Sequence, residues 1–145
     1  MNGETKKPGV GFGIMLLRDG KVLLGRRHDD PEKAQSELDG AGKWTMPGGK
    51  LHFQETFEDG AYRKVMEETG IAIDRKSLKH ISTTNNIVKT AHFVTLGFIG
   101  NDFEGEAEVR EPDEIVEWKW FDLAHLPEPM YFPSKQIMDA FNELK

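Results

Sequence analysis

Thr56 opens a helix that Gly70 closes, and the apolar residues between them fall on two sides of it. Thr56 with Asp59 three residues on forms an acidic version of the capping box, and Gly70 supplies the left-handed residue at which helices stop. Phe57, Ala61 and Val65 recur at i, i+4 and i+8 as one core face, while Tyr62 and Met66 make a second strip nearly opposite. A helix apolar on two sides is sandwiched between layers, so the rest of the chain must supply a sheet to cover it.

The flanking segments read as strands. GVGFGIMLL (9–17) and KVLLG (21–25) are joined by Arg18-Asp19-Gly20, and Asp-Gly between apolar runs predicts a tight hairpin turn. Residues 26–43 run without periodicity, which is long for a connection and reads as a surface excursion rather than a lid. WTMPGGKLHF is extended around a Pro-Gly-Gly break, and HISTTNNI, HFVTLGFIG and IVEWKWF alternate as strands. Ser134 is expected to cap a final amphipathic helix carrying Ile137, Phe141 and Leu144. No repeat, low-complexity tract or linker divides residues 1–145. The expectation is one α/β domain, a mixed sheet with helices packed on it. GVGFG is not a dinucleotide fingerprint, because it lacks the third glycine and leads into a strand rather than a helix.

Composition narrows the function. The formal charge of −6 and a pI near 5.4 argue against a broad grip on polymeric nucleic acid, so an anionic small molecule needs a metal or a focused Arg/Lys cluster. There are no cysteines, which excludes disulfides and thiolate metal sites and makes a cytoplasmic setting the expectation. No apolar run approaches the ~20 residues of a membrane span, and MNGETKKPG lacks the apolar centre of a secretory signal, so no membrane is expected. His28, His52, His80, His92 and His125 are scattered without the spacing of zinc ligands.

Chemistry concentrates on the first helix. Lys64, Glu67 and Glu68 share one stripe beside the core face, and Gly60, one turn earlier, lets another backbone come close. Adjacent carboxylates near a Gly-Gly loop are hard oxygen ligands of the kind Mg²⁺ or Mn²⁺ prefers, although a Glu-Glu pair alone is mostly a solvated helix end. The spacing around them decides between these readings. Gly49, five residues, Glu55, seven residues, Arg63, then Val65, Glu67, Glu68, Gly70 and Ile71 resembles the Nudix (MutT-type) hydrolase signature, G-x5-E-x7-R-E-U-x-E-E-x-G-U, at eight of its nine fixed positions. GVGFG and LLGRR before it, WTMPGG leading into it and EWKWFDLAHLP after it extend the resemblance from about Pro8 to Pro127. Within the family the chain looks most like small nucleoside triphosphate diphosphatases, with ADP-ribose and other nucleoside-diphosphate hydrolases as near relatives.

The resemblance implies a Nudix-type α/β/α sandwich with a central mixed sheet. It implies metal-dependent hydrolysis of a phosphoanhydride in a nucleoside di- or triphosphate derivative, with NTP to NMP plus pyrophosphate as the leading reaction and Mg²⁺ or Mn²⁺ as cofactor. The implied partner is a small-molecule nucleotide, and homodimers are frequent among similar proteins. Carried over by position, Glu67 and Glu68 are metal ligands, the Gly49 region offers backbone oxygen, and Glu55 with Arg63 is the pair that orients loop and helix.

Position 64 departs from the pattern: the family has a glutamate there, as metal ligand or base, and this chain has Lys64. Lysine offers no carboxylate lone pairs and competes as a cation for Glu68. The stripe goes from a formal charge of about −3 to about −1, which lowers divalent affinity. Three readings stay open: other acids serve, the chain binds a nucleotide without turning it over, or it is a variant of an active parent. ADP-ribose or nucleotide-sugar hydrolysis is a further alternative. From the acidic run Glu106, Glu108, Glu111, Asp113 and Glu114, the resemblance points to Glu111 and Glu114 as a further ligand or base, against a solvated loop as the plain reading. Arg26 and Arg27 stand where a side chain reaches an anionic ligand, or are surface charges. Tyr131 and Phe132 stand where related diphosphatases stack a base, or are core, and Met46 lines the same pocket. Trp44, Trp118 and Trp120 read as packing.

Overall fold

A computed structural model describes residues 6–33 and 40–144. Strands β1 (Gly9–Arg18) and β2 (Lys21–Arg27) form a hairpin whose turn holds Asp19 at φ 54° and Gly20 at φ 75°. That left-handed pair is what a two-residue turn needs to match the strand twist. Strand β2 runs on through Arg26 and Arg27, so the excursion expected over 26–43 starts at His28, and its residues 34–39 lie outside the described residues.

The chain continues through β3 (Trp44–Thr45), β4 (Gly48–Lys50), α1 (Phe57–Thr69), β5 (Ala72–Ile73), a 3-10 turn at Arg75–Ser77, β6 (Lys79–Val88), β7 (Ala91–Gly100), β8 (Phe103–Glu104), β9 (Ile115–Asp122) and α2 (Phe132–Glu143). Strand β1 pairs parallel with β7 over Gly9–Leu16 and antiparallel with β4 over Gly11–Gly13, and β6 lies antiparallel beyond β7. Strand β2 pairs with β9 over Lys21–Arg27, and on its other edge with β1 at Lys21 and Val22 and then with β3 at Gly25 and Arg26. The sheet is therefore mixed. The two-residue strands β5 and β8, too short to carry a periodic signal, pair apart from it.

Alternation along β1 and β2 builds two cores. Ile14, Leu16 and Leu23 point to one face, where Ala61 and Val65 of α1 join them with Ile71 and Phe98. Met15, Val22 and Leu24 point to the other, against Ile137 and Met138 of α2. Each such fully buried aliphatic side chain contributes about 1.5–3 kcal/mol. The layers are helix, mixed sheet, helix.

Three expectations change. The buried face of α1 is Gly60, Ala61, Val65 and Thr69, with Phe57 left 39% exposed. Its second strip meets β5, a strand of the small β5–β8 sheet, and the 3-10 turn, where the Arg75 guanidinium lies 3.9 Å over the Tyr62 ring. The main sheet is sandwiched in turn between α1 and α2. Ser134 does not cap α2: Tyr131 is the N-cap, with no side-chain cap bond and a proline in the first turn. The buried Ser134 hydroxyl accepts from Met46 N at 2.9 Å and pairs with the Thr45 hydroxyl at 3.1 Å, tying the helix to the β3–β4 connection. Leu144, expected on the core face, is exposed at the helix end. Among the described residues no helix is long and apolar enough to cross a membrane.

Candidate active site

The site is built where β4 crosses β1 and meets α1. A Cβ at Gly48 would run into the Phe12 carbonyl oxygen, and one at Gly49 would come 2.5 Å from Lys64 Cε. The Gly-Gly pair thus brings the β4 backbone against both a strand and the helix, closer than any side chain permits. The Thr56 hydroxyl accepts from Asp59 N at 3.1 Å and Gly70 takes φ 82°, so both ends of α1 are fixed as the sequence predicts.

Between β4 and α1 the chain is held by one ion pair. Arg63 Nε donates to Glu55 Oε2 at 2.7 Å and its Nη2 to Glu55 Oε1 at 2.9 Å, while Nη2 also reaches the Lys50 carbonyl at 3.0 Å. Glu55 Oε1 accepts from His52 N at 2.9 Å. The Arg63 hydrogen bonds, then the His52 N–H, hold the Glu55 carboxyl down at about 2. The hydrogen bond to Glu55, then the one to Glu67, holds the Arg63 guanidinium above its ordinary value against its partial burial. The loop they brace carries Gln54 at φ 66° and Phe53 at 91% exposure.

One turn along α1, charges crowd. Glu67 is shared between Arg63 Nη1, 3.2 Å from Oε1, and Lys64 Nζ, 3.8 Å from Oε2. Glu68 Oε1 accepts from Gly48 N at 2.9 Å, and Trp118 of β9 donates its indole N–H to the Glu68 carbonyl at 3.2 Å. Surrounding protein pushes the Glu68 carboxyl up to about 8, with Glu111 and Glu114 adding to the rise and Lys64 and the Gly48 N–H opposing it. Glu111 comes in from the loop before β9, pinned by Glu114 N and Ile115 N on its carbonyl at 2.9 Å each. Burial, then the neighbouring Glu114, raises the Glu111 carboxyl against the pull of Lys64, and its Oε1 is buried with no hydrogen-bond partner among the described residues.

A cavity of about 770 Å³ opens onto this cluster. Its wall includes Gly49, Arg63, Lys64, Glu68 and Glu114 together with Arg27, Met46 and Tyr131. Arg27 donates to the Gly40 carbonyl at 3.0 Å and lies 4.7 Å over the Tyr131 ring. Five expected residues do not line it: Glu55, Glu67 and Glu111 lie outside its wall, Arg26 pairs with Asp29 at 3.1 Å and Glu117 at 3.4 Å, and Phe132 is 53% exposed in the first turn of α2. Residues not singled out from the sequence also line the cavity, among them Thr45, Phe93 and Thr95. Phe93 and Thr95 lie two apart on β7, the period that puts them on one face, but nothing local marks that face as the cavity side.

The donor set has the chemistry, though not the spacing, of a site for a hard divalent cation. Glu67, Glu68, Glu111 and Glu114 supply only carboxylate oxygen, and the orphaned Glu111 Oε1 is a buried acceptor awaiting a positive partner. No three His, Asp or Glu side chains among the described residues sit at metal-ligand spacing.

Comparison with known proteins agrees with this geometry. The NUDIX domain model matches residues 7–141. An ADP-ribose pyrophosphatase of Methanocaldococcus jannaschii is 30% identical over 132 residues, 91% of this chain and 72% of the relative. The oxidized purine nucleoside triphosphate hydrolase of Danio rerio is 31% identical over 114 residues, 79% of this chain and 66% of the relative. Among solved structures, a MutT NUDIX hydrolase from Burkholderia pseudomallei superposes with a TM-score of 0.81 at 32% identity, covering 93% of this chain and 98% of its own. The chain belongs to the Nudix family of hydrolases, enzymes that act on nucleotide phosphoanhydrides and work with divalent metal ions.

Proposed function

We propose that this chain hydrolyses a nucleoside triphosphate to the nucleoside monophosphate and pyrophosphate, with Mg²⁺ or Mn²⁺. One observation carries the reading. A single cavity is walled by charged groups for a polyphosphate, Arg63, Lys64, Glu68 and Glu114, and by Met46, Phe93 and Tyr131, which offer a base apolar and aromatic surface. Glu67 and Glu68, with Glu111 or Glu114 and a backbone oxygen near Gly49, would hold the divalent ion. Bound there, it would neutralise the diphosphate and make water a better nucleophile.

The chain's own residues set the geometry. Glu55 and Arg63 lock the 51–56 loop to α1, so the Gly48–Lys50 backbone and the Glu68 carboxyl keep a fixed relation. Lys50 and His52 line the cavity beside Arg63 and add donors for phosphate oxygens.

Lys64 favours a second reading, a Nudix domain that binds a nucleotide and turns it over weakly. The M. jannaschii relative motivates a third, ADP-ribose or nucleotide-sugar hydrolysis. A metal-dependent screen over nucleoside triphosphates, ADP-ribose and nucleotide sugars separates them by product. Pyrophosphate from triphosphates supports the proposal. Turnover confined to ADP-ribose or nucleotide sugars replaces it, as does nucleotide binding with no product after long incubation.

A further inference from the structure

Lys64 is not a solvated surface lysine. Its stem lies across the backbone of Gly49, its side chain is 18% exposed, and its ammonium sits 3.8 Å from Glu67. It stands on the same cavity wall as Glu68, one turn further along α1, and its charge opposes the rise of both the Glu68 and the Glu111 carboxyls. Arg63 is committed to Glu55 and the Lys50 carbonyl and reaches only the other oxygen of Glu67. Glu68 has the Gly48 N–H, and Glu111 Oε1 is buried with no hydrogen-bond partner among the described residues. The cation that balances the deeper part of this cluster is therefore the one carried at position 64.

We propose that the Lys64 ammonium is the resident counter-ion of the Glu67–Glu68–Glu111 pocket, standing in the place of a divalent ion, so that it weakens metal binding by occupying the site and not only by omitting a ligand. The inference rests on these carboxylates being the family's cation site, but not on any substrate or turnover. It separates two accounts of position 64. If the lysine matters only as an absent carboxylate, a neutral residue there leaves metal affinity unchanged. If it is a tethered cation, a neutral residue frees the pocket.

Lys64→Met discriminates, because methionine keeps an unbranched stem over Gly49 and brings neither a charge nor a carboxylate. Mn²⁺ binding is measured by electron paramagnetic resonance of the free ion on the parent, Lys64→Met and Lys64→Glu, alongside thermal melts in chelator and in Mn²⁺. Lys64→Met is expected to bind Mn²⁺ about tenfold or more tighter than the parent, the scale on which one nearby charge shifts an ionic equilibrium. It is also expected to melt lower than the parent in chelator and to recover in Mn²⁺. Equal Mn²⁺ affinity of Lys64→Met and the parent overturns the inference, even where Lys64→Glu binds tighter. Absence of Mn²⁺ binding in all three overturns it together with the metal assignment. Failure of the triphosphate reading alone leaves the Mn²⁺ comparison standing.

Discussion

Glu68→Gln should make the metal-free protein more stable at alkaline pH while lowering its hydrolytic activity. Burial raises the Glu68 carboxyl from 4.5 to about 8 even with Lys64 and the Gly48 N–H pulling the other way. An acid whose folded value is raised binds its proton more tightly folded than unfolded, so folding loses stability as pH climbs from 4.5 towards 8. At about 1.36 kcal/mol per pKa unit the ceiling on that loss is about 5 kcal/mol, and relaxation of the pocket with entry of water reduces it to about 2 kcal/mol. Glutamine keeps an oxygen to accept the 2.9 Å bond from Gly48 N and carries no charge to bury. Urea unfolding in chelator should find the two proteins within about 0.5 kcal/mol near pH 5, and the variant ahead by about 2 kcal/mol near pH 8.5. Adding Mn²⁺ should narrow the gap by stabilising the parent. A variant no more stable than the parent near pH 8.5, or a difference that ignores pH, would refute the reasoning that this carboxylate is held at a cost for function.

Glu55→Gln should act in the opposite pH range. Arg63 holds Glu55 at about 2, so its stabilisation is full above 4.5 and fades as pH falls towards 2. With solvent screening the pair, the variant should lose about 1–2 kcal/mol at neutral pH, less in acid, and urea unfolding down the acid range checks it. Gln54→Gly should raise stability by about 0.5 kcal/mol, read as a small upward shift in melting temperature, because Gln54 sits at φ 66° where a side chain is strained. Ser134→Ala should cost about 1–3 kcal/mol in urea unfolding, since it strips the buried Met46 N–H of its acceptor, whereas loss of a helix cap exposed to water would cost less.

Where structure is decided locally, the residues announce it. The left-handed turn at Asp19-Gly20, the Thr56 cap and the Gly70 stop each depend on neighbours within four positions, and each forms as the spacing predicts. The mixed sheet with helices packed on it also follows from alternation and element order, while their placement on both faces follows from the family resemblance. What the sequence hides is contact across long separations. Ser134 meets Met46 88 residues away, and its role as a tether leaves no periodic mark. Arg26 and Arg27 look alike as neighbours, but strand alternation sends Arg27 to Tyr131 and the cavity and Arg26 to Asp29 and Glu117. At the site, the motif spacing brings Glu55 to Arg63 and Gly48 to Glu68, while the burial that sets Glu68 and Glu111 apart from Glu114 comes from the fold around them.

The most direct test of the central claim is product analysis by phosphorus NMR of a nucleoside triphosphate panel with Mg²⁺ or Mn²⁺, on this protein and Lys64→Glu in parallel. Nucleoside monophosphate and pyrophosphate should appear with this protein, and faster with Lys64→Glu. Nucleoside diphosphate with orthophosphate, or no product from either protein, would contradict it.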